Sequence, residues 1–218
     1  MDKLYTEDQL NLFNYPARII IAGYTNSGKT YLCTKIVEKY HHLFTKIVIS
    51  GVTSHPLQES IDIKDKLEIQ EDIIDPVGEH TPFTDPKAHI LQILDDNFLA
   101  SANSPTVVDS FTKGRHKNLS VILITQNLFF PGKFSRTIAL NTSHYILMKN
   151  RDLYQIECLG RQLYGKSNSK KFVDIYKNAV HSSPRGYLLC DLAVTTPEAL
   201  QLRTNIVGEG LCEKVFQL

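Results

Sequence analysis

The run Gly23-Tyr24-Thr25-Asn26-Ser27-Gly28-Lys29-Thr30 has the residue types and spacing to hold a phosphate. Gly23 and Gly28 let the backbone curl so that successive N–H groups point at an anion. Lys29 supplies a mobile point charge for β- and γ-phosphates, and Thr30 offers a hydroxyl to Mg²⁺. The pattern carries this meaning only between a strand and a helix. Both flanks comply: Ile19-Ile20-Ile21 reads as a short buried strand, and the stretch from Tyr31 to Tyr40 as a helix whose N-terminus adds partial positive charge. The candidate nucleotide-binding residues are Gly23, Tyr24, Thr25, Asn26, Ser27, Gly28, Lys29, Thr30 and Tyr31, with ATP and Mg²⁺ as the expected cofactors.

Three further groups have chemistry to offer. A hydrophobic strand over 88–96 ends in Asp95-Asp96. Asp95 is placed to hold the Mg²⁺ hydration shell. Asp96 is placed either to orient or deprotonate an attacking water or to cap the following helix. A strand over 120–126 ends in Thr125-Gln126, where the Gln126 amide can bond a γ-phosphate oxygen or the lytic water. Before it stands Gly114-Arg115-His116-Lys117. Those cations suit a helix C-terminus, with Gly114 as terminator, and Arg115 suits equally a finger donated to a neighbouring subunit's nucleotide.

The elements that must position these groups follow from the hydrophobic pattern. Strands are expected at 18–22, 46–50, 88–94, 120–125, 144–148 and 186–190, with a short strand near 67–69. Helices are expected at 29–42, 98–116 with a break near Ser104-Pro105, 134–141, 153–163 and 170–181. Residues 51–86 carry four prolines and many charges and read as mostly irregular, with one short helix. Strands alternating with helices imply an α/β fold, a mainly parallel sheet with helices on both faces. Residues 1–194 read as one motor-sized domain, and 195–218 as a weakly patterned tail that docks on a neighbour.

Composition narrows the classes. With 24 Lys and Arg against 23 Asp and Glu, the formal charge of +1 excludes a polycation, so any nucleic-acid contact must come from a local patch or an assembled ring. The four cysteines have no metal-ligand spacing and read as reduced thiols, Cys33 and Cys190 buried. No run approaches the ~18 apolar residues of a membrane span. The start MDKLYTEDQLNLF lacks a signal-peptide core, so a soluble, non-secreted protein without a membrane partner is expected.

Taken together, GYTNSGKT, ILQILDD, GRHKNLSVILITQNLF and FSRTIALNTSHYILMKN resemble the FtsK–HerA superfamily of DNA-pumping ATPases. The likeness is strongest to its virus-type branch, the genome-packaging ATPases of poxvirus-like viruses, virophages and Polinton/Maverick elements. It covers roughly residues 15–190. The resemblance implies a RecA-like P-loop ATPase domain, a ring of five or six subunits, and double-stranded DNA threaded without sequence specificity. It also implies a capsid or portal partner and a place in the infected cell or virion. By residue it implies Lys29 and Thr30 for nucleotide and metal, Asp95 for metal, Asp96 for water activation, Gln126 for γ-phosphate sensing and Arg115 as the trans finger. Many superfamily members carry Glu where this chain has Asp96, one methylene shorter. Lys133, Arg136, Lys149 and Arg151 are the candidate DNA-phosphate contacts. The alternatives are a nucleotide or nucleoside kinase, and an ATP-binding assembly switch with little hydrolysis.

Overall fold

The computed structural model describes residues 11–13, 16–73, 75–77, 88–95, 98–207 and 213–218. Asp96 and Cys212 lie outside the described residues. One sheet organises the chain. Its strands in sequence are β1 (Arg18–Ala22), β2 (Lys46–Ser50), β3 (Leu67–Gln70), β4 (Ile90–Leu94), β5 (Leu119–Thr125), β6 (His144–Met148), β7 (Tyr187–Asp191), β8 (Leu202–Thr204) and β9 (Lys214–Phe216). Their spatial order is β3-β2-β4-β5-β1-β6-β7-β8-β9. From β3 to β6 every neighbour is parallel, and from β6 to β9 every neighbour is antiparallel.

The central strands are apolar on both faces because both faces are covered, as parallel sheets require. Alternation sorts their residues. Ile19 and Ile21 point to one core with Ile47, Ile49, Leu91 and Ile93, closed by helix α1 (Lys29–Tyr40) through Leu32, Cys33, Ile36 and Val37. Ile20 and Ala22 point to the other with Val121 and Leu123. That second face is covered by α2 (Phe98–Asn103), α3 (Pro105–Lys113), α4 (Ser135–Asn141), α5 (Leu153–Tyr164) and α6 (Ser169–His181). Ser104 caps α3 by accepting the Val107 N–H, and Pro105 fits its first turn, which explains the break between α2 and α3.

Strand order decides a question the sequence left open. β5 lies between β1 and β4, its register joining Ile19 to Ile122 on one side and Ile93 to Ile122 on the other. The carboxylate-bearing strand is therefore one strand removed from the loop-bearing strand. Kinases place the two side by side, so the kinase alternative loses its scaffold.

Two expectations are corrected, and the last strands are located. Residues 51–66 hold two 3₁₀ turns, Pro56–Glu59 and Ile61–Lys66, where one short helix was expected. Gly114 does not terminate a helix with a left-handed residue. The chain runs on through a 3₁₀ turn, Gly114–Lys117, and Asn118 at φ 46° makes the stop. The tail, 195–218, supplies β8 and β9 to the chain's own sheet. Arg203 of β8, fully buried, pairs with Asp191 at 2.6 Å and with Glu213 at 3.0 Å, and this pairing anchors the segment. Short strands with polar inward residues have no apolar periodicity for a sequence pattern to catch.

Candidate functional site

β1 delivers the chain into the turn Gly23–Gly28 at the carboxyl edge of the parallel strands. The Gly23 N–H donates to the Thr125 carbonyl at 3.2 Å and the Tyr24 N–H to the Lys149 carbonyl at 3.1 Å, so the loop is moored to the ends of β5 and β6. A Cβ on Gly23 would stand 2.7 Å from Ser27 Oγ and 2.8 Å from Met148 Cβ, so only glycine fits there. Asn26 at φ 63° and Gly28 at φ 96° turn left-handed, and α1 starts at the next residue. Backbone of this kind collects N–H groups into an anion-holding hollow at a helix N-terminus.

The side chains converge on that hollow. Lys29 Nζ lies across the loop and donates to the Tyr24 carbonyl at 3.1 Å. Thr30 Oγ1 donates to Asp95 Oδ2 at 3.1 Å, which brings the loop and the β4 tip together across the intervening strand. Thr25 Oγ1 donates to Gln126 Oε1 at 3.4 Å. A threonine hydroxyl and a carboxylate at a phosphate loop are hard oxygen donors. They fit Mg²⁺, which takes one or two protein oxygens and completes its shell with phosphate and water.

His55 was not anticipated. It opens the 3₁₀ turn after β2 and its ring is buried beside Asp95. Nδ1 accepts the Leu57 N–H at 3.2 Å, which puts the neutral ring's proton on Nε2. Nε2 lies 3.7 Å from Asp95 Oδ2 with no hydrogen-bond partner among the described residues. Burial pushes the His55 pKa down to about 4. Cys33, below Asp95, is held as a thiol by burial and then by the Asp95 charge.

Arg115 is not part of this cluster. It is exposed on the turn before β5, at the amino edge of the sheet. β5 has seven residues, so roughly 20 Å of strand separates it from Gln126. With Arg18, His116 and His144 it lines a cavity of about 740 Å³. Burial and then the Arg115 charge hold the Arg18 guanidinium below its usual range. Arg115 cannot reach its own chain's loop, as a finger acting in trans requires.

A protein-family model described as "Poxvirus A32 protein" matches residues 5–196. The chain belongs to the poxvirus A32 protein family. It is 31% identical to the "DNA packaging protein OPG160" of Variola virus, over 95% of this chain and 81% of that protein. Among solved structures it resembles the genome packaging NTPase B204 of Sulfolobus turreted icosahedral virus 2 bound to ATP-γS. There the TM-score is 0.55 at 14% identity, over 84% of this chain and 96% of that one. The AMPPCP complex of B204 gives the same TM-score and identity over 83% and 95%. These structural likenesses bear on the fold: an α/β packaging-NTPase architecture with a mostly parallel sheet, as expected from the sequence.

This A32-family chain also carries cations at the loop that sequence reasoning assigned elsewhere or missed. Lys149 and Arg151 were expected to face DNA. In the structure the Lys149 carbonyl moors Tyr24, and the Arg151 guanidinium lies 5.3 Å from the Tyr24 ring centre. Arg185, in the turn that leads into β7, holds its guanidinium over the Tyr31 ring, 3.9 Å from its centre. No local signal marks it. Because β7 is antiparallel to β6, its beginning, not its end, lies at the loop edge. Among the described residues, no helix is long and apolar enough to cross a membrane.

Proposed function

We propose that this chain is a Mg²⁺-dependent ATPase that packages a viral or virus-like DNA genome, working as a ring on double-stranded DNA. One observation carries the reading. Lys29, Thr30, Asp95 and Gln126 share one sheet edge, with Thr30 and Asp95 in contact at 3.1 Å across an inserted strand. Family membership and the DNA packaging protein among its relatives support the substrate.

The residues divide the work. The N–H groups of the Gly23–Tyr31 run and Lys29 hold the phosphates. Thr30 and Asp95 take Mg²⁺, with His55 behind Asp95 limiting its swing. Bound Mg²⁺ supplies charge neutralisation at the β- and γ-oxygens. Gln126 orients the γ-phosphate or water, and Asp96 activates that water. Arg115 completes the site of a neighbouring copy, so hydrolysis requires assembly. Exposed Lys133 and Arg136, beyond β5, are the remaining candidates for DNA phosphates. A capsid or portal protein is the expected further partner.

The test is ATP hydrolysis by the purified protein with Mg²⁺, with and without double-stranded DNA, beside a screen of phosphoryl acceptors. DNA-stimulated hydrolysis that EDTA abolishes is the expected result. Tight ATP binding without turnover would make the protein an assembly switch, and acceptor-dependent transfer would make it a kinase.

A further inference from the structure

Tyr31 is a large aromatic left 43% exposed on the first turn of α1, directly after Thr30. Arg185 is also exposed, yet it is not free to wander. Its stem lies against the phosphate loop: a Cβ on Gly28 would meet Arg185 Cδ at 3.3 Å and Cγ at 3.4 Å. Its backbone is pinned from behind. The next residue, Gly186, is pressed on the end of α6, where a Cβ would stand 2.6 Å from the Ala179 carbonyl oxygen. From that fixed base the guanidinium lies over the Tyr31 ring at 3.9 Å. One helical turn further, Lys35 Nζ is 5.8 Å from the same ring. A planar cation thus lies over the face of a planar ring beside the loop.

We infer that Tyr31 and Arg185 form the platform on which the base of the bound nucleotide stacks. This rests on the phosphate-loop reading of Gly23–Thr30. Phosphates bound at the N-terminus of α1 leave their nucleoside to pass over the first exposed residue of that helix, and that residue is Tyr31. The outer face of a stacked, exposed guanidinium accepts a third planar layer, since every base presents a π-face to it. Stacking reads no hydrogen-bonding edge, so the platform holds adenine and guanine alike. A motor that spends nucleotide without copying it needs no finer discrimination. The pairing also links nucleotide occupancy to β7, because Arg185 stands at the entry of that strand.

The experiment compares binding of ATP, GTP and inorganic tripolyphosphate, which has three phosphates and no base. Wild type should bind ATP and GTP within a few-fold of each other. Tyr31→Ala and Arg185→Ala should each weaken both nucleotides by about 5- to 100-fold, the range of one lost base stack. Tripolyphosphate affinity should stay unchanged in both variants. Tyr31→Phe should keep nucleotide affinity. Arg185→Lys should lose it nearly as fully as Arg185→Ala, because an ammonium keeps the charge and has no plane. If Arg185→Ala weakens tripolyphosphate as much as ATP, and Arg185→Lys restores both, Arg185 is a phosphate contact and the platform is wrong. Lys29→Ala separates the two levels of the argument. It should lose ATP and tripolyphosphate together. Retention of both would overturn the phosphate loop itself, whereas loss of both beside an unaffected Tyr31→Ala overturns the platform alone.

Discussion

At the carboxyl edge of the sheet the polar groups already answer one another. Lys29 lies on the Tyr24 carbonyl, Thr30 on Asp95, Thr25 on Gln126 and Arg185 on Tyr31. At the amino edge, Arg18 and Arg115 line a 740 Å³ cavity, and no carboxylate is among the described residues that line it. One edge is a nearly self-sufficient receptacle made largely of backbone. The other gathers the cations Arg18 and Arg115 around an open cavity. On the proposed function the contrast shows how a single parallel sheet would serve two partners: its loop-bearing end would hold the nucleotide, and its opposite end would present charge to a next copy.

Breaking the amino edge should have the largest effect. Arg115→Ala should bind ATP as wild type does and lose about a thousandfold or more in hydrolysis, the range of a missing finger. Mixing it with Asp95→Asn subunits should restore part of the rate, because some interfaces then join an intact Arg115 to an intact Asp95. Mixed rings that form and stay inactive would place Arg115 outside the reaction.

Arg203→Met tests whether the amino edge depends on the chain's last strands. It removes the guanidinium that Asp191 and Glu213 share, leaving Asp191 with His144 as its one side-chain partner among the described residues, and loss of one partner from a buried pair costs about 3–5 kcal/mol. Urea unfolding should show that loss. An effect below about 1 kcal/mol would mean that the β8 segment is held by something else.

At the carboxyl edge, Lys29→Ala should reduce ATP affinity by roughly a hundredfold, about 2.7 kcal/mol. Thermal stability without nucleotide should be unaltered. Calorimetric titration checks the first and a melting curve the second.

The smallest effect concerns acid. Burial by itself raises the Asp191 carboxyl, but the hydrogen bond and charge of His144 and the charge of Arg203 outweigh it, so the group titrates below its ordinary range. The unfolded chain then binds the proton first. The pair's stabilisation is complete above the ordinary carboxylate value of about 3.9 and is lost as pH falls through the lower folded value. Asp191→Asn, less stable at neutral pH, should show a shallower decline of the urea midpoint between pH 5 and 3. An unchanged slope would assign acid unfolding to other carboxylates.

Much of this was legible in the residues because the signals are local. A glycine-bounded loop must follow a strand and precede a helix, and Arg18–Thr30 states that in one segment. The Asp95 and Gln126 positions were readable as polar ends of apolar runs. Arg185, His55 and the β8–β9 extension were not. Arg185 reaches the loop because one strand reverses direction. His55 reaches Asp95 from an irregular stretch with no period to read. Arg203 is a lone cation whose partners are 10 and 12 residues away, outside any helical or strand spacing.

The sequence by itself determined the loop, its helix, the carboxylate strand and the family likeness, since each depends on neighbours within a few residues and on backbone stereochemistry. Only the tertiary structure decided that β5 lies between β1 and β4, that Arg115 stands at the far edge from its own loop, and that Arg185 stands over Tyr31. Those facts depend on which strands pair and in which direction. Pairing is settled by burial summed over the whole sheet, which no short stretch of residues encodes.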